Sequence, residues 1–147
     1  MIVVLDTNCL VAGPLSRGGP CAEILDRWRD GQFEVAVSPA LLAELESVLH
    51  YPRIAVRYRV PSDAAAAAVG ELRAQGVLFP DPAAPPRVVP ADADDDYVVA
   101  LAQAGSCRFL VTRDSHFAAV DSVAAGVEVI SPEAFLARLR AEDTLEE

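Results

Sequence analysis

The 147-residue chain contains no lysine; all 12 of its basic side chains are arginines. Response-regulator receivers and P-loop nucleotide hydrolases both need a lysine, so both are excluded. Cysteine is scarce. Cys9, Cys21 and Cys107 are odd in number and lack the C-x-x-C spacing of a metal or redox motif, so they read as buried free thiols. No apolar run approaches the roughly 20 residues of a membrane-spanning helix. The start, Met1 to Asp6, has no basic region and reaches an acid at once, so a cytoplasmic protein without membrane contact is expected. Aromatics are few, which leaves no obvious platform for stacking bases, and Trp28 reads as core. Positive charge is also in deficit. A net charge of −10 argues against binding nucleic acid through a broad basic surface. Hydrophobic residues are plentiful at 52%, enough for one domain, 1–147, with a substantial core.

Strand and helix signals alternate along the chain. Ile2-Val3-Val4-Leu5 reads as a buried strand ending at Asp6. Gly13-Pro14 and Gly18-Gly19-Pro20 then predict a break, with a helix from about Cys21 to Gly31. A second strand covers Phe33 to Val37. Ser38-Pro39 follows as an N-cap and first-turn proline, opening a helix that Pro52 ends. Arg53 to Arg59 reads as a basic turn or short helix, and Ser62 to Gln75 as an alanine-rich helix. Val77-Leu78-Phe79 is the third strand, and the proline-rich stretch Pro80 to Pro90 a loop. A helix begins within Asp92 to Asp96 and stops at Gly105; strands follow at Arg108 to Thr112 and Val127 to Ile130. Ser131-Pro132 caps a last helix that is expected to fray into the acidic tail 142–147. This alternation predicts an α/β fold with a parallel sheet of about five strands covered on both faces.

Such sheets bind ligands beyond the C-terminal ends of their strands. Asp6 follows the first strand and Asp114 the fourth, while Glu44 and Asp96 lie near helix starts that face the same edge. Magnesium takes oxygen ligands and keeps several waters, so a few carboxylates suffice, and a chain whose only histidines are His50 and His116 lacks nothing needed. Singly, each acid has a plain structural explanation. Asp6 and Asp114 could cap turns, and Asp92, Asp94, Asp95 and Asp96 suit a helix N-terminus whatever else they do. Glu44 and Glu46 sit equally far from the apolar face of their helix, so helical phase does not choose between them.

Together the acids resemble something specific. Val3-Val4-Leu5-Asp6-Thr7-Asn8, Ser38-Pro39-Ala40-Leu41-Leu42-Ala43-Glu44-Leu45, Asp94-Asp95-Asp96-Tyr97-Val98-Val99-Ala100-Leu101-Ala102 and Leu110-Val111-Thr112-Arg113-Asp114 occur in that order. This set resembles the ordered motifs of PIN-domain nucleases, and most of all the stand-alone VapC-like toxins of toxin–antitoxin pairs. The resemblance implies a three-layer α/β/α sandwich and Mg²⁺- or Mn²⁺-dependent cleavage of RNA. It makes Asp6, Glu44 and Asp96 metal ligands, Asp114 a fourth acid, and Thr7, Asn8 and Thr112 orienting groups. It favours Glu44 over Glu46, and Asp96 over Asp95 by its spacing to Ala100. It further implies a homodimer and a cognate antitoxin protein. A haloacid-dehalogenase-type phosphatase would need an aspartate where this chain has Asn8. Arg53 and Arg57, on one face if their stretch is helical, are candidate RNA contacts. The alternative is a non-catalytic scaffold of the same fold that binds RNA or a partner protein.

Overall fold

Val3, Val4 and Leu5 are fully buried, as befits a central strand covered on both faces. In the computed structural model, which describes residues 1–15, 19–58, 62–85, 95–114, 117 and 126–146, they belong to β1 (Ile2–Leu5). The other strands are β2 (Glu34–Val37), β3 (Val77–Leu78), β4 (Phe109–Val111) and β5 (Glu128–Ile130). They form a five-stranded sheet in the order β3-β2-β1-β4-β5, every pairing parallel. Several strands are shorter than the sequence pattern suggests, but the ladder reaches past their ends. Phe79 N donates to the Val37 carbonyl at 2.9 Å, and Thr112 N to that of Ile130 at 3.0 Å.

Strand order reverses at β1. Right-handed crossovers therefore send the connections toward β2 and β3 over one face, and the return to β4 over the other. On the first path lie α1 (Thr7–Leu15), α2 (Pro20–Arg29), α3 (Pro39–Leu49), α4 (Pro52–Tyr58) and α5 (Ser62–Gln75). On the return path, α6 (Asp95–Ala104) packs against β1, β2 and β4. The last helix, α7 (Pro132–Glu146), packs on α2, and Phe135 sets its ring 5.2 Å from that of Phe33 and 5.6 Å from that of Phe109.

Helix α1 was not expected, because Gly13-Pro14 looks like a chain break. The helix starts directly off β1, with the Asp6 carbonyl accepting from Cys9 N and Leu10 N at 3.0 and 3.1 Å. Pro14 stands one residue before the C-terminal end of the helix, so the backbone bond that its missing N–H removes is among the last in the helix. Gly13 serves a close approach of helices, not a turn. A Cβ there would overlap the Leu25 side chain and lie 3.2 Å from the Cys21 carbonyl oxygen. The acidic tail also departs from expectation, since α7 stays helical through Glu146. Asp143 ties it down by accepting from Arg27 at 2.7 Å and from Gln32 at 2.9 Å. Asp92 and Asp94, expected near the start of α6, lie outside the described residues.

Candidate metal centre at the sheet edge

Leu5 pairs with Val111, so the residues leaving β1 and β4 emerge side by side where the strand order switches. Asp6 N still donates to the Val111 carbonyl at 2.9 Å. The Asp6 carboxylate is held at both oxygens. Thr7 N donates to Oδ1 at 2.8 Å, and the Thr112 hydroxyl donates to Oδ2 at 2.7 Å. The same hydroxyl accepts from Asp114 N at 2.9 Å, so Thr112 links the two acids. An ionised carboxylate oxygen has two acceptor directions, and among the described residues one on each Asp6 oxygen is left for a ligand.

Asp6 is 5% exposed. Burial raises its pKa above the ordinary carboxylate value; the bonds from Thr112 and Thr7 oppose the shift, and the nearby charge of Asp114 adds to it. Thr7 is also buried, and its hydroxyl has no partner among the described residues. A desolvated carboxylate, a second acid in electrostatic range and an orphaned hydroxyl fit a hard cation that takes oxygen ligands.

Glu44 and Asp96 approach from the two helices that flank this edge. Glu44 is half-buried on α3 and lines a cavity of about 230 Å³ with Ser38, Ala40, Leu41, Tyr97 and Val98. Glu46, which helical phase could not separate from it, is exposed and away from that cavity. Asp96 lies in the first turn of α6, just before Tyr97, and is 1% exposed. Asp95 begins the helix, and Asn8 is exposed on α1. Among the described residues, no three ligating side chains are already gathered closely enough to hold a metal. The shared environment of Asp6 and Asp114 is thus explicit, with Glu44 and Asp96 on the neighbouring helices. Arg53 and Arg57 occupy successive turns of α4, both exposed.

One contributor escapes sequence reasoning. Asp81, in the proline-rich loop, accepts from Ala40 N at 2.7 Å while Ser38 caps Leu41 N at 3.2 Å. Two side chains thus fix the start of the helix that carries Glu44. Nothing in the local pattern Pro80-Asp81-Pro82 singles this acid out from the other acids nearby.

The raised pKa of Asp6 has a measurable consequence. As pH rises through the ordinary carboxylate range, the unfolded chain loses this proton first, so stability falls until folded Asp6 also ionises. Above that point the cost persists. In EDTA at neutral pH, Asp6→Asn is therefore expected to melt higher than wild type, with the gap closing in acid. Mn²⁺ should reverse the order, since a ligand at a hundred times its Kd adds about 2.7 kcal/mol to the state that binds it. Equal Mn²⁺ shifts for both proteins in a melting assay would place the cation elsewhere.

Comparison with known proteins agrees with this architecture. No curated protein matches the sequence. The crystal structure of PAE2754 from Pyrobaculum aerophilum superposes with a TM-score of 0.64 at 20% identity, covering 96% of this chain and 90% of that one. VapBC2 from Rickettsia felis, in a crystal structure with a DNA fragment from its promoter, gives 0.60 at 15% identity, covering 89% and 98%. At these identities the likeness is one of fold. The PIN-domain profile matches residues 2–116, which include every acid and hydroxyl of the candidate site, and the chain belongs to the PIN-domain family.

Proposed function

We propose that this PIN domain is a divalent-metal-dependent endoribonuclease and the toxin of a toxin–antitoxin pair. The observation that carries the reading is the linkage of Asp6, Thr112 and Asp114 across the ends of β1 and β4. Asp6, Glu44, Asp96 and Asp114 would hold Mg²⁺ or Mn²⁺. When bound, the ion would supply Lewis acidity to the scissile phosphate and to the attacking water. Thr112 and Thr7 fix the plane of the Asp6 carboxylate, so its remaining acceptor directions are set before any ligand arrives. The Thr7 hydroxyl is available to orient a water or a phosphate oxygen, and exposed Asn8 stands one residue further along α1. Leu41 and Val98 give the adjacent cavity apolar walls. Arg53 and Arg57 on α4 are the candidate phosphate contacts.

The toxin assignment rests on family membership and on the VapBC2-like fold. It brings with it a homodimer and a cognate antitoxin. A second reading, a non-catalytic scaffold that binds RNA or a partner, is favoured by the net charge of −10 and by the lack of a gathered metal cluster among the described residues. Purified protein incubated with RNA separates the two. Cleavage with Mn²⁺ or Mg²⁺ that stops in EDTA is the expected result. Retained binding without cleavage under any divalent ion would favour the scaffold.

A further inference from the structure

The sulfur atoms of Cys9 on α1 and Cys21 on α2 lie 3.0 Å apart, both buried and both free thiols. A bonded pair would be about 2.05 Å apart, so roughly 1 Å of movement separates contact from a covalent bond. We propose that Cys9 and Cys21 form an oxidisable dithiol, a modification site that closes to a disulfide and staples α1 to α2. The inference is independent of the cleavage reading and stands on thiol chemistry alone.

Two observations support it. The helices are already held at bonding range, because Gly13 lets α1 settle against Leu25 and the Cys21 carbonyl. The Arg113 guanidinium reaches Cys21, whose pKa is lowered first by its bond with Cys9 and also by that arginine, against the effect of burial, while the same bond raises the pKa of Cys9. Cys107 offers a contrast, for it is buried away from the other cysteines and its pKa is pushed up to about 11 by burial alone.

With hydrogen peroxide as oxidant the step balances. The Cys21 sulfur attacks one peroxide oxygen, the O–O bond breaks, and the other oxygen leaves as water after taking a proton. The Cys9 sulfur then attacks the resulting sulfenic sulfur and forms the S–S bond, and the sulfenic oxygen leaves as a second water. The two thiols give up two electrons and two protons, and peroxide takes them.

Trypsin cuts after Arg17, between the two cysteines, so a digest reads the bond directly. After mild peroxide treatment of the full chain and alkylation in denaturant, peptides 1–17 and 18–27 are expected as one disulfide-linked species, with a single alkylated cysteine, Cys107. The intact mass should fall by two hydrogen atoms and return with dithiothreitol. The melting temperature should rise by about 5–10 °C on oxidation, as expected for a short loop closed in an unstrained geometry. Cys107→Ser should leave all of this unchanged, whereas Cys9→Ser or Cys21→Ser should abolish the linked peptide. Peptides that stay separate in oxidised wild type, linkage to Cys107, or sulfinic acid in place of the bond would each overturn the proposal, and none of these readings depends on a variant folding.

Discussion

Asp6→Asn is expected to cut RNA cleavage by at least about a hundredfold, close to 2.7 kcal/mol of barrier, while leaving the fold intact. The amide keeps the size of the side chain but lacks the charge that a cation needs. One of its two ends also becomes a donor facing either Thr7 N or the Thr112 hydroxyl. Glu44→Gln and Asp96→Asn are expected to lose most activity as well, because the proposal gives them the same task from α3 and α6. Asp114→Asn should be milder. Its backbone N–H, which fixes the Thr112 hydroxyl, survives the change. Glu46→Gln and Asp95→Asn should be nearly silent. Single-turnover rates at saturating Mn²⁺, with circular dichroism as the folding control, give the ranking. An inactive Asp95→Asn beside an active Asp96→Asn would shift the assignment by one residue in the acidic run.

The second large effect concerns growth. Expressed alone, the proposed toxin should stop growth of its host, and Asp6→Asn should relieve the arrest completely. The neighbour expected to neutralise it is a small protein with an arginine- or lysine-bearing segment. Such a segment would place a cation among carboxylates that repel one another, in competition with metal. The net charge of −10 suits a basic protein partner better than it suits RNA. Size-exclusion chromatography of the purified chain should show a dimer. A harmless, monomeric wild type with no small partner encoded beside it would defeat the toxin assignment while leaving a nuclease of this family intact.

Much of this architecture was legible because its signals are local and repeated. Ser38-Pro39 and Ser131-Pro132 each announced a helix start, and both helices begin at those prolines. The apolar strand runs at Ile2, Val35 and Leu110 took their places in one parallel sheet. Helix α1 was hidden because a glycine needed for helix contact looks the same in sequence as one needed for a turn. The contact of Arg27 with Asp143, which holds the tail helical, spans 116 residues and leaves no local trace. At the candidate site, the positions of Asp6 and Asp114 followed from the strand ends. Glu44 and Glu46 could not be told apart by helical phase, because the distinction depends on where α6 lies across from α3. Asp81 was illegible for a similar reason, since its role is defined by a helix start 41 residues earlier.

The order β3-β2-β1-β4-β5 also governs when the site can exist during synthesis. The bond between Thr112 and Asp6 joins residues 106 positions apart, and it depends on β4 pairing with a strand made well before it. Until Phe109–Val111 has left the ribosome, β1 has only β2 beside it, and Asp6 lacks the hydroxyl that orients its carboxylate. Closing so long a loop is among the slower events of folding. A chain that stops short of β4 therefore leaves Asp6 without the neighbouring strand and without the hydroxyl that holds its carboxylate.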